Sequence, residues 1–512
     1  MKSETYLTSF EAAKDLDNEA ALWGLNSFSL TEAAGRSFAE VFLRHIGKHT
    51  AGKKTVNSFA VLAGSGNNGT DALIMLKALC FKGYADPSLC KVFLTHNIED
   101  TNSPLSQILC LIKKIDIPVN VWDGQSSGDG IENFDYIIDG ITGTGLKSEL
   151  HGNAALMLKA LQKPEMPKIL SIDIPSGNFE GWKPPMPIIS AYATLAIEPQ
   201  KTCLYNPAAR PYAGKILPVT GIFPSALLRL YSKVQLVNWM QAKTFIPQVK
   251  CTAHKYERGL VVIRAGSKGF AGAAKLAALG SQAAGAGLVR LIVDPQLHPE
   301  ISPACFGIMA VPSDQEPEEG RFSPNSILLG PGWGKSKDRR QAFLACLEKE
   351  KQGIPLILDA DAIALAKDQV FNGNVIITPH AGEFAAFAGV SKVEILSDPI
   401  PHLLRVSKEN NLTVLFKSHV LYICSPDGRI GIIDGMNAAL ATGGTGDVLA
   451  GFCAAIAARL KPFDGYNCAC AAALLLQEAA KAKKLYRRFA GPEKIANAAS
   501  FIAGRAWLQE KD

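Results

Sequence analysis

Short runs of β-branched and aliphatic residues alternate with longer Ala/Leu-rich stretches along the whole chain. This alternation predicts an α/β protein with mostly parallel sheets. In the first half, strand-like runs fall at 59–63, 92–95, 136–139, 169–173 and 194–197, with helical periodicity at 70–81 and 104–114. In the second half, strands are expected at 260–264, 289–293, 327–329, 356–359, 375–377, 413–417 and 420–424. Helices are expected there at 271–284, 338–350, 382–388, 445–460 and 467–482. The sheet pattern lapses between Gly221 and Ala253, where a mixed amphipathic stretch carries Leu227, Leu230, Val234 and Trp239. The lapse predicts two domains, 1–225 and 251–512, with a linker at 226–250. The charged, Pro/Gly-bearing segment 312–321 reads as a solvated loop.

Composition agrees with this division. At roughly 100–200 residues per domain, 512 residues are too many for one ordinary core. Hydrophobic residues at 47% and charged residues at 20% exclude a disordered chain, a collagen-like rod and a coiled coil. Lys+Arg exceeds Asp+Glu by 53 to 47, and no dense basic run appears, so nucleic acid is not an expected partner. The 11 cysteines are scattered, which fits a reducing cytoplasm better than a disulfide framework. The nine histidines show no zinc spacing. The first residues are polar, without the apolar core of a signal peptide, and no uncharged apolar run reaches the ~20 residues of a membrane helix. The expectation is a cytoplasmic protein with no membrane partner.

Candidate chemistry collects at strand ends. Gly64-Ser65-Gly66-Asn67-Asn68-Gly69-Thr70-Asp71 follows a strand and opens a helix, and contains GxGxxG. Such a turn lets the backbone approach an anion, which the helix N-terminus then attracts. An ordinary dinucleotide-binding turn also wants a carboxylate ~20 residues on, at the end of the next strand. The segment 90–96 offers none. Asp139 and Asp173 end two further strands, each followed by Gly or Ser, so the polar groups are expected to share one pocket. Their oxygens also suit a hard cation.

The set Gly66-Asn67-Asn68-Gly69-x-Asp71, Asp139 with Gly143-Thr144-Gly145, and Asp173-Ile174-Pro175-Ser176-Gly177 resembles the NAD(P)H-hydrate epimerase family. The resemblance extends over nearly all of the first ~220 residues and implies a Rossmann-like three-layer sandwich. It implies that Asn67, Asn68, Gly69, Thr70 and Asp71, with Gly143, Thr144, Gly145, Leu146, Lys147, Ser148 and Glu149, contact a hydrated nicotinamide nucleotide. Asp173 would contact it too and act as the acid/base. Asn68, Asp139 and Ser176 would bind K+. Thr70 and Ala72 stand where the family usually has glycines.

In the second half, Gly443-Gly444-Thr445-Gly446-Asp447 leads into a long Ala-rich helix. Glycines before a helix expose several N–H groups as an anion hole, and Asp447 in the first turn could take a proton from a hydroxyl beside it. A glycine-rich helix start with Asp447 as mere dipole partner is the structural alternative. Gly330-Pro331-Gly332-Trp333-Gly334, Asp359-Ala360-Asp361, Thr378-Pro379-His380-Ala381-Gly382-Glu383 and Lys417 each end a strand. Together with His254-Lys255, these elements are similar in identity and order to the ADP-dependent NAD(P)H-hydrate dehydratase family, which has a ribokinase-like fold. The resemblance implies that Ala273, Gly332, His380 and Asp447 contact the hydrated nucleotide. Lys417, Ser418, His419, Val420, Leu421 and Gly446 would contact ADP, and Mg2+ would bridge its phosphates. Ser418 and Ala381 replace a usual glycine and a usual proline.

The two resemblances, in this order, imply a fused epimerase and dehydratase. It would act on NADHX and NADPHX, use ADP and release AMP and phosphate, and a homo-oligomer is the expected assembly. Two other readings remain at this point. The same anion hole serves a ribokinase-like small-molecule kinase, because fold does not decide function. The first domain could also bind its nucleotide without catalysis.

Overall fold

The structure is a computed structural model that describes residues 5–47, 56–98, 100, 102–122, 130–163, 165–316, 323–482 and 490–507. It divides into two compact units, one made by Thr5–Gln235 and the other mainly by Leu236–Ile395 and the residues from Pro399 onward. The solvated loop expected at 312–321 begins as a strand end and a short 3-10 turn at Ser313–Gln315, and its remainder lies outside the described residues.

The first unit is built on a 7-stranded sheet. Its order is Val119–Val121, Lys91–Leu94, Phe59–Ala63, Tyr136–Gly140, Lys168–Ile172, Ala193–Ile197 and Lys215–Val219, every pair parallel. Phe59–Ala63 is buried at every position, as a central strand covered on both faces should be. The order reverses between Lys91–Leu94 and Tyr136–Gly140 on either side of Phe59–Ala63. That switch point opens a crevice beyond the carboxyl ends of the strands.

The helix after the glycine turn starts at Asn67 rather than at Thr70, with Gly66 as its N-cap. Asn67 and Asn68 therefore sit in the first helical turn. Gly64 and Gly69 are required by close approach. A Cβ on Gly64 would lie 2.0 Å from the Ile141 carbonyl oxygen, and one on Gly69 would lie 2.1 Å from that of Gly64. The two non-glycines in the turn are accommodated. Thr70 Oγ1 donates to the Gly66 carbonyl, and the Ala72 methyl group occupies space left by Gly140 on the adjacent strand.

In the second unit the strands run Met309–Pro312, Leu288–Val293, Leu260–Arg264, Ser326–Leu329, Leu356–Leu358, Val375–Ile377 and Thr413–Phe416, all parallel. Val420–Cys424 and Ile430–Asp434 follow as antiparallel neighbours. The helices Thr445–Ala457 and Gly465–Lys481 are apolar nearly all round and almost wholly buried, as helices enclosed by other elements must be. The helix Ala271–Ala283 packs against Thr445–Ala457 at glycine contacts. A Cβ on Gly451 would lie 2.2 Å from the Ala277 carbonyl oxygen, and one on Gly280 would lie 2.6 Å from that of Val448. Ser281 Oγ donates to the Gly451 carbonyl at 3.0 Å across the same seam.

Several elements differ from the sequence expectation. The stretch where the sheet pattern lapses holds a helix at Ser225–Tyr231, a strand at Val234–Leu236 and a short helix at Trp239–Ala242. Helices at Phe10–Leu22 and Ser27–His45 precede the first predicted strand, and the helix expected at 445–460 stops at Ala457. None of the eleven cysteines forms a disulfide, and no helix among the described residues is long and apolar enough to cross a membrane.

The glycine seam gives a direct test. Gly451→Ala should lower stability by about 1–3 kcal/mol, because backbone on the facing helix cannot yield to a new methyl group. Gly272→Ala, where nothing lies within 4 Å of the added Cβ, should be neutral or slightly stabilising. Denaturant unfolding midpoints of the two variants check this.

Candidate active sites

The cleft of the first unit encloses about 610 Å³ and is lined by Asn67, Asn68, Asp71, Thr144 and Asp173 among the sequence-predicted residues. It is also lined by Asp17, Glu198 and Lys201, which sequence reasoning did not select. Asp17 lies on the helix Phe10–Leu22 beside the buried Leu16 and Ala20. Lys201 is placed by a two-residue strand, Gln200–Lys201, that pairs in parallel with Thr5–Thr8. The signals for these residues were slight: a carboxylate beside apolar helix positions, and a lysine just after an apolar strand.

Lys201 is buried, and its Nζ donates to Asp173 Oδ1 at 2.9 Å. The Ile197 N–H donates to the same oxygen at 3.2 Å. Asp173 follows its strand with φ of 63°, a left-handed backbone that turns its side chain out of the sheet register. Asp71 is buried, and its Oδ1 has no hydrogen-bond partner among the described residues. Burial drives the Asp71 carboxyl well above the usual range, and the negative charges of Asp173 and Asp17 add to the effect. Asp17 is raised too, by burial first and then by Asp173 against the opposing pull of Lys201.

Asp139 lies fully buried behind this cleft. Its Oδ1 accepts from Ser176 Oγ at 2.5 Å, and its Oδ2 accepts from Ser171 Oγ at 2.7 Å and the Ser176 N–H at 3.0 Å. Burial raises its pKa, while these hydrogen bonds pull the other way. Asn68 donates from Nδ2 to the carbonyls of Ile172 at 2.8 Å and Thr142 at 3.2 Å. Asn68 and Ser176 thus meet at the Thr142 backbone, and Asp139 holds Ser176. Gly69 and Thr70 hold the turn rather than line the cleft. Gly143 lies against the Asn68 side chain, and Gly145 stands exposed with nothing within 4 Å of an added Cβ. Leu146 packs into apolar clusters, and Lys147, Ser148 and Glu149 are exposed outside the cleft lining.

In the second unit, a pocket of about 710 Å³ is lined by Lys417, Ser418, His419, Leu421 and Gly446. Gly435, Asn437, Leu440, Leu449, Leu476 and Gln477 complete the wall. Val420 is fully buried in its strand and does not reach this pocket. Alternation along the strand sends it to the other face from His419 and Leu421. Gln477 was missed because it sits in an Ala/Leu-rich helix that reads only as core. The Ser418 hydroxyl bonds the Val420 N–H and carbonyl, closing the turn that a glycine would otherwise allow.

Lys417 Nζ donates to Asp359 Oδ1 at 2.7 Å, and Thr378 Oγ1 donates to the same atom at 2.6 Å. Burial disfavours the Lys417 charge, but Asp359, with Glu383 and Asp447 beyond it, holds the lysine above its ordinary pKa. Asp447 occupies the first turn of Thr445–Ala457, behind Gly444 at φ 95°. Burial first, and then the negative charge of Asp359, push its pKa up to about 6 against the opposing pull of Lys417. His380 caps the helix Ala381–Ala388. Its Nδ1 accepts from the N–H groups of Gly382 and Glu383, and the Glu383 carboxylate accepts the His380 N–H. His380 also pairs by a backbone bridge with Lys417. Gly332, at φ 57°, lies against Ala273, 3.0 Å from where its Cβ would be. Among the described residues no group of three His, Cys, Asp or Glu side chains is clustered for a metal.

Comparison with known proteins adds family evidence to this geometry. Residues 261–498 match the family described as NAD(P)H-hydrate dehydratase, and residues 27–203 match the family described as YjeF-related protein N-terminus. The bifunctional NAD(P)H-hydrate repair enzyme of Escherichia coli is 29% identical over 418 residues, covering 80% of this chain and 78% of that one. The enzyme of the same name from Moorella thermoacetica is 27% identical over 481 residues, covering 89% of each. An ADP/ATP-dependent NAD(P)H-hydrate dehydratase structure from Bacillus subtilis aligns with 25% identity and a TM-score of 0.46, covering 53% of this chain and 97% of that one. These relatives do not favour the small-molecule kinase reading. With both modules present in one polypeptide, and matched in relatives over most of its length, the chain belongs to the bifunctional NAD(P)H-hydrate repair enzyme family.

Proposed function

We propose that the first unit interconverts the R and S epimers of hydrated NADH and NADPH, and that the second dehydrates the S epimer at the expense of ADP. The observation that carries this reading is the occurrence, in one chain of this family, of two carboxylates placed for proton transfer: Asp173, which lines the cleft of the first unit, and Asp447, in the first helical turn next to Gly446 of the second unit's pocket. The substrate hydroxyl sits on a carbon beside the ring nitrogen, and hydroxide is a poor leaving group. Asp447 takes the proton of that hydroxyl, whose oxygen attacks the terminal phosphorus of ADP and releases AMP. The N–H groups at 443–446 stabilise the charge on the transferring phosphoryl group. The ring nitrogen's lone pair then expels phosphate, and loss of a proton from the neighbouring carbon restores NAD(P)H.

Lys417, Ser418, His419, Leu421 and Gly446 hold ADP in the pocket they line, with Lys417 exchanging Asp359 for phosphate oxygens. Ala273, Gly332 and His380 contact the hydrated nucleotide. Mg2+ would be held chiefly by the phosphates and would offset their charge. In the first unit, Asn67, Asn68, Asp71 and Thr144 line the nucleotide's cleft beside Asp173. The donor set at Asp139 fits K+: it is built of oxygens, and its carboxylate is fully buried beside the hydroxyls of Ser171 and Ser176 and the Ser176 N–H. Asp139, Ser176 Oγ and the Asn68 amide oxygen, after that amide turns over, would hold the ion, which would supply a fixed positive charge. Cytoplasmic location and a homo-oligomeric assembly complete the proposal.

The first test follows absorbance at the NADH band with an epimer mixture of hydrated NADH and ADP, ATP or no nucleotide. ADP-dependent recovery of the whole mixture is expected. Recovery of half, followed by the spontaneous rate, would remove the active epimerase; no recovery with any nucleotide would remove both activities. The second test concerns Asp447. A base with a pKa of about 6 must be ionised to act, so kcat/KM for dehydration should fall as pH drops through about 6. Asp447→Asn should cost about 10²–10⁴-fold in kcat at neutral pH. A flat profile or a smaller loss would assign Asp447 to helix capping alone.

A further inference from the structure

The cleft of the first unit is lined by four carboxylates, Asp17, Asp71, Asp173 and Glu198, and one buried ammonium, Lys201. They are not equivalent. Both hydrogen bonds to Asp173, from Lys201 Nζ at 2.9 Å and the Ile197 N–H at 3.2 Å, fall on Oδ1. Among the described residues Oδ2 has no donor, so it is the oxygen left for a ligand. Among the described residues Asp71 has no salt-bridge cation, and its buried Oδ1 has no hydrogen-bond partner. A carboxylate without a donor is costly to bury, whereas a neutral carboxylic acid carries its own O–H.

Resting on the reading of this unit as an epimerase, we infer that Asp71 is a carboxylic acid in the working enzyme and is the catalytic acid opposite the Asp173 base, with Lys201 as the positioning residue that holds Asp173 by Oδ1. The substrate's hydroxyl-bearing carbon, bonded to ring nitrogen, is a hemiaminal, and hemiaminals epimerise by opening and reclosing. Asp173 Oδ2 takes the hydroxyl proton, the oxygen's electrons form a carbonyl, and the carbon–nitrogen bond breaks with its pair going to nitrogen. Asp71 delivers its proton to that nitrogen. The new aldehyde rotates about its carbon–carbon bond. Nitrogen attacks the other face, Asp71 takes its proton back, and Asp173 returns the other to oxygen. Atoms and charge balance, and both carboxyl groups end as they began, which a reversible epimerase requires.

The charged groups facing Asp71 agree with this assignment. Asp17 and Asp173 oppose its ionisation, Lys201 is engaged by Asp173, and Glu198 on the cleft wall accepts the N–H groups of Gly221, Ile222 and Phe223. Glu32, on the helix Ser27–His45 packed against the helix of Asp71, is tied to Lys77 and Arg36. Burial lifts the Asp71 pKa in the same sense.

The full-length protein, assayed by NMR for epimer interconversion without ADP, tests the inference. The wild-type kcat/KM should fall at high pH as Asp71 ionises. Asp71→Asn, which replaces a neutral group by a neutral one, should keep KM within about threefold, lose about 10²–10⁴-fold in kcat and abolish the high-pH limb. Lys201→Met should lower kcat with KM little changed, and Lys201→Arg should restore kcat in part; a merely structural lysine would lower folded protein without that split. The carboxylic-acid carbonyl band in the infrared difference between wild type and Asp71→Asn at neutral pH reads protonation without turnover. Retained kcat in a folded Asp71→Asn, or absence of that band, overturns the inference while leaving the epimerase standing. A wild type that does not interconvert the epimers overturns both.

Discussion

A charge taken out of water has to be matched where it lies, and that constraint shapes both clefts. Each sheet ends its central strands in carboxylates at the point where parallel strands open toward ligand. Asp139 meets the demand with hydroxyl and amide donors, Asp173 with Lys201, and Asp359 with Lys417 and Thr378. Asp71 and Asp447 lack such direct partners, and their carboxyl groups shift toward the neutral form instead. The chemistry proposed for each site follows from which acid is compensated and which is not.

The same logic links the two units, although their folds differ. In each, a glycine-rich turn brings backbone N–H groups to a helix start at the sheet's carboxyl edge, and a lysine binds a strand-end aspartate in the ground state. Lys201 is buried with its aspartate, so it acts as a permanent counter-charge. Lys417 lines the pocket wall and is half-buried, so it can exchange its aspartate for a phosphate. Burial of the lysine therefore separates a positioning role from a binding one.

Much of this was legible in the sequence because parallel strands buried on both faces read as uninterrupted apolar runs. Phe59–Ala63, Leu260–Arg264 and Val375–Ile377 fall where the pattern put them. The glycine-marked turns also stood out, since close approach tolerates no Cβ at Gly64 or Gly69. What escaped was chemistry set by tertiary neighbours. Asp17 lies on a helix from the polar N-terminal region, Lys201 on a strand of two residues, and Gln477 within an apolar helix. None of these carries a local motif. Lys147, Ser148 and Glu149, which the family resemblance assigns to the nucleotide, lie exposed outside the cleft lining.

The seam between Ala271–Ala283 and Thr445–Ala457 has a consequence for how the second cleft engages its ligand. With Gly451 and Gly280 each set against a facing carbonyl, the helix that carries the anion hole has no slack along its buried length. Its amides are preorganised, and they add no reorganisation cost when phosphate arrives. A ligand at this helix start is therefore selected by its fit to a fixed surface rather than by adjustment of that surface.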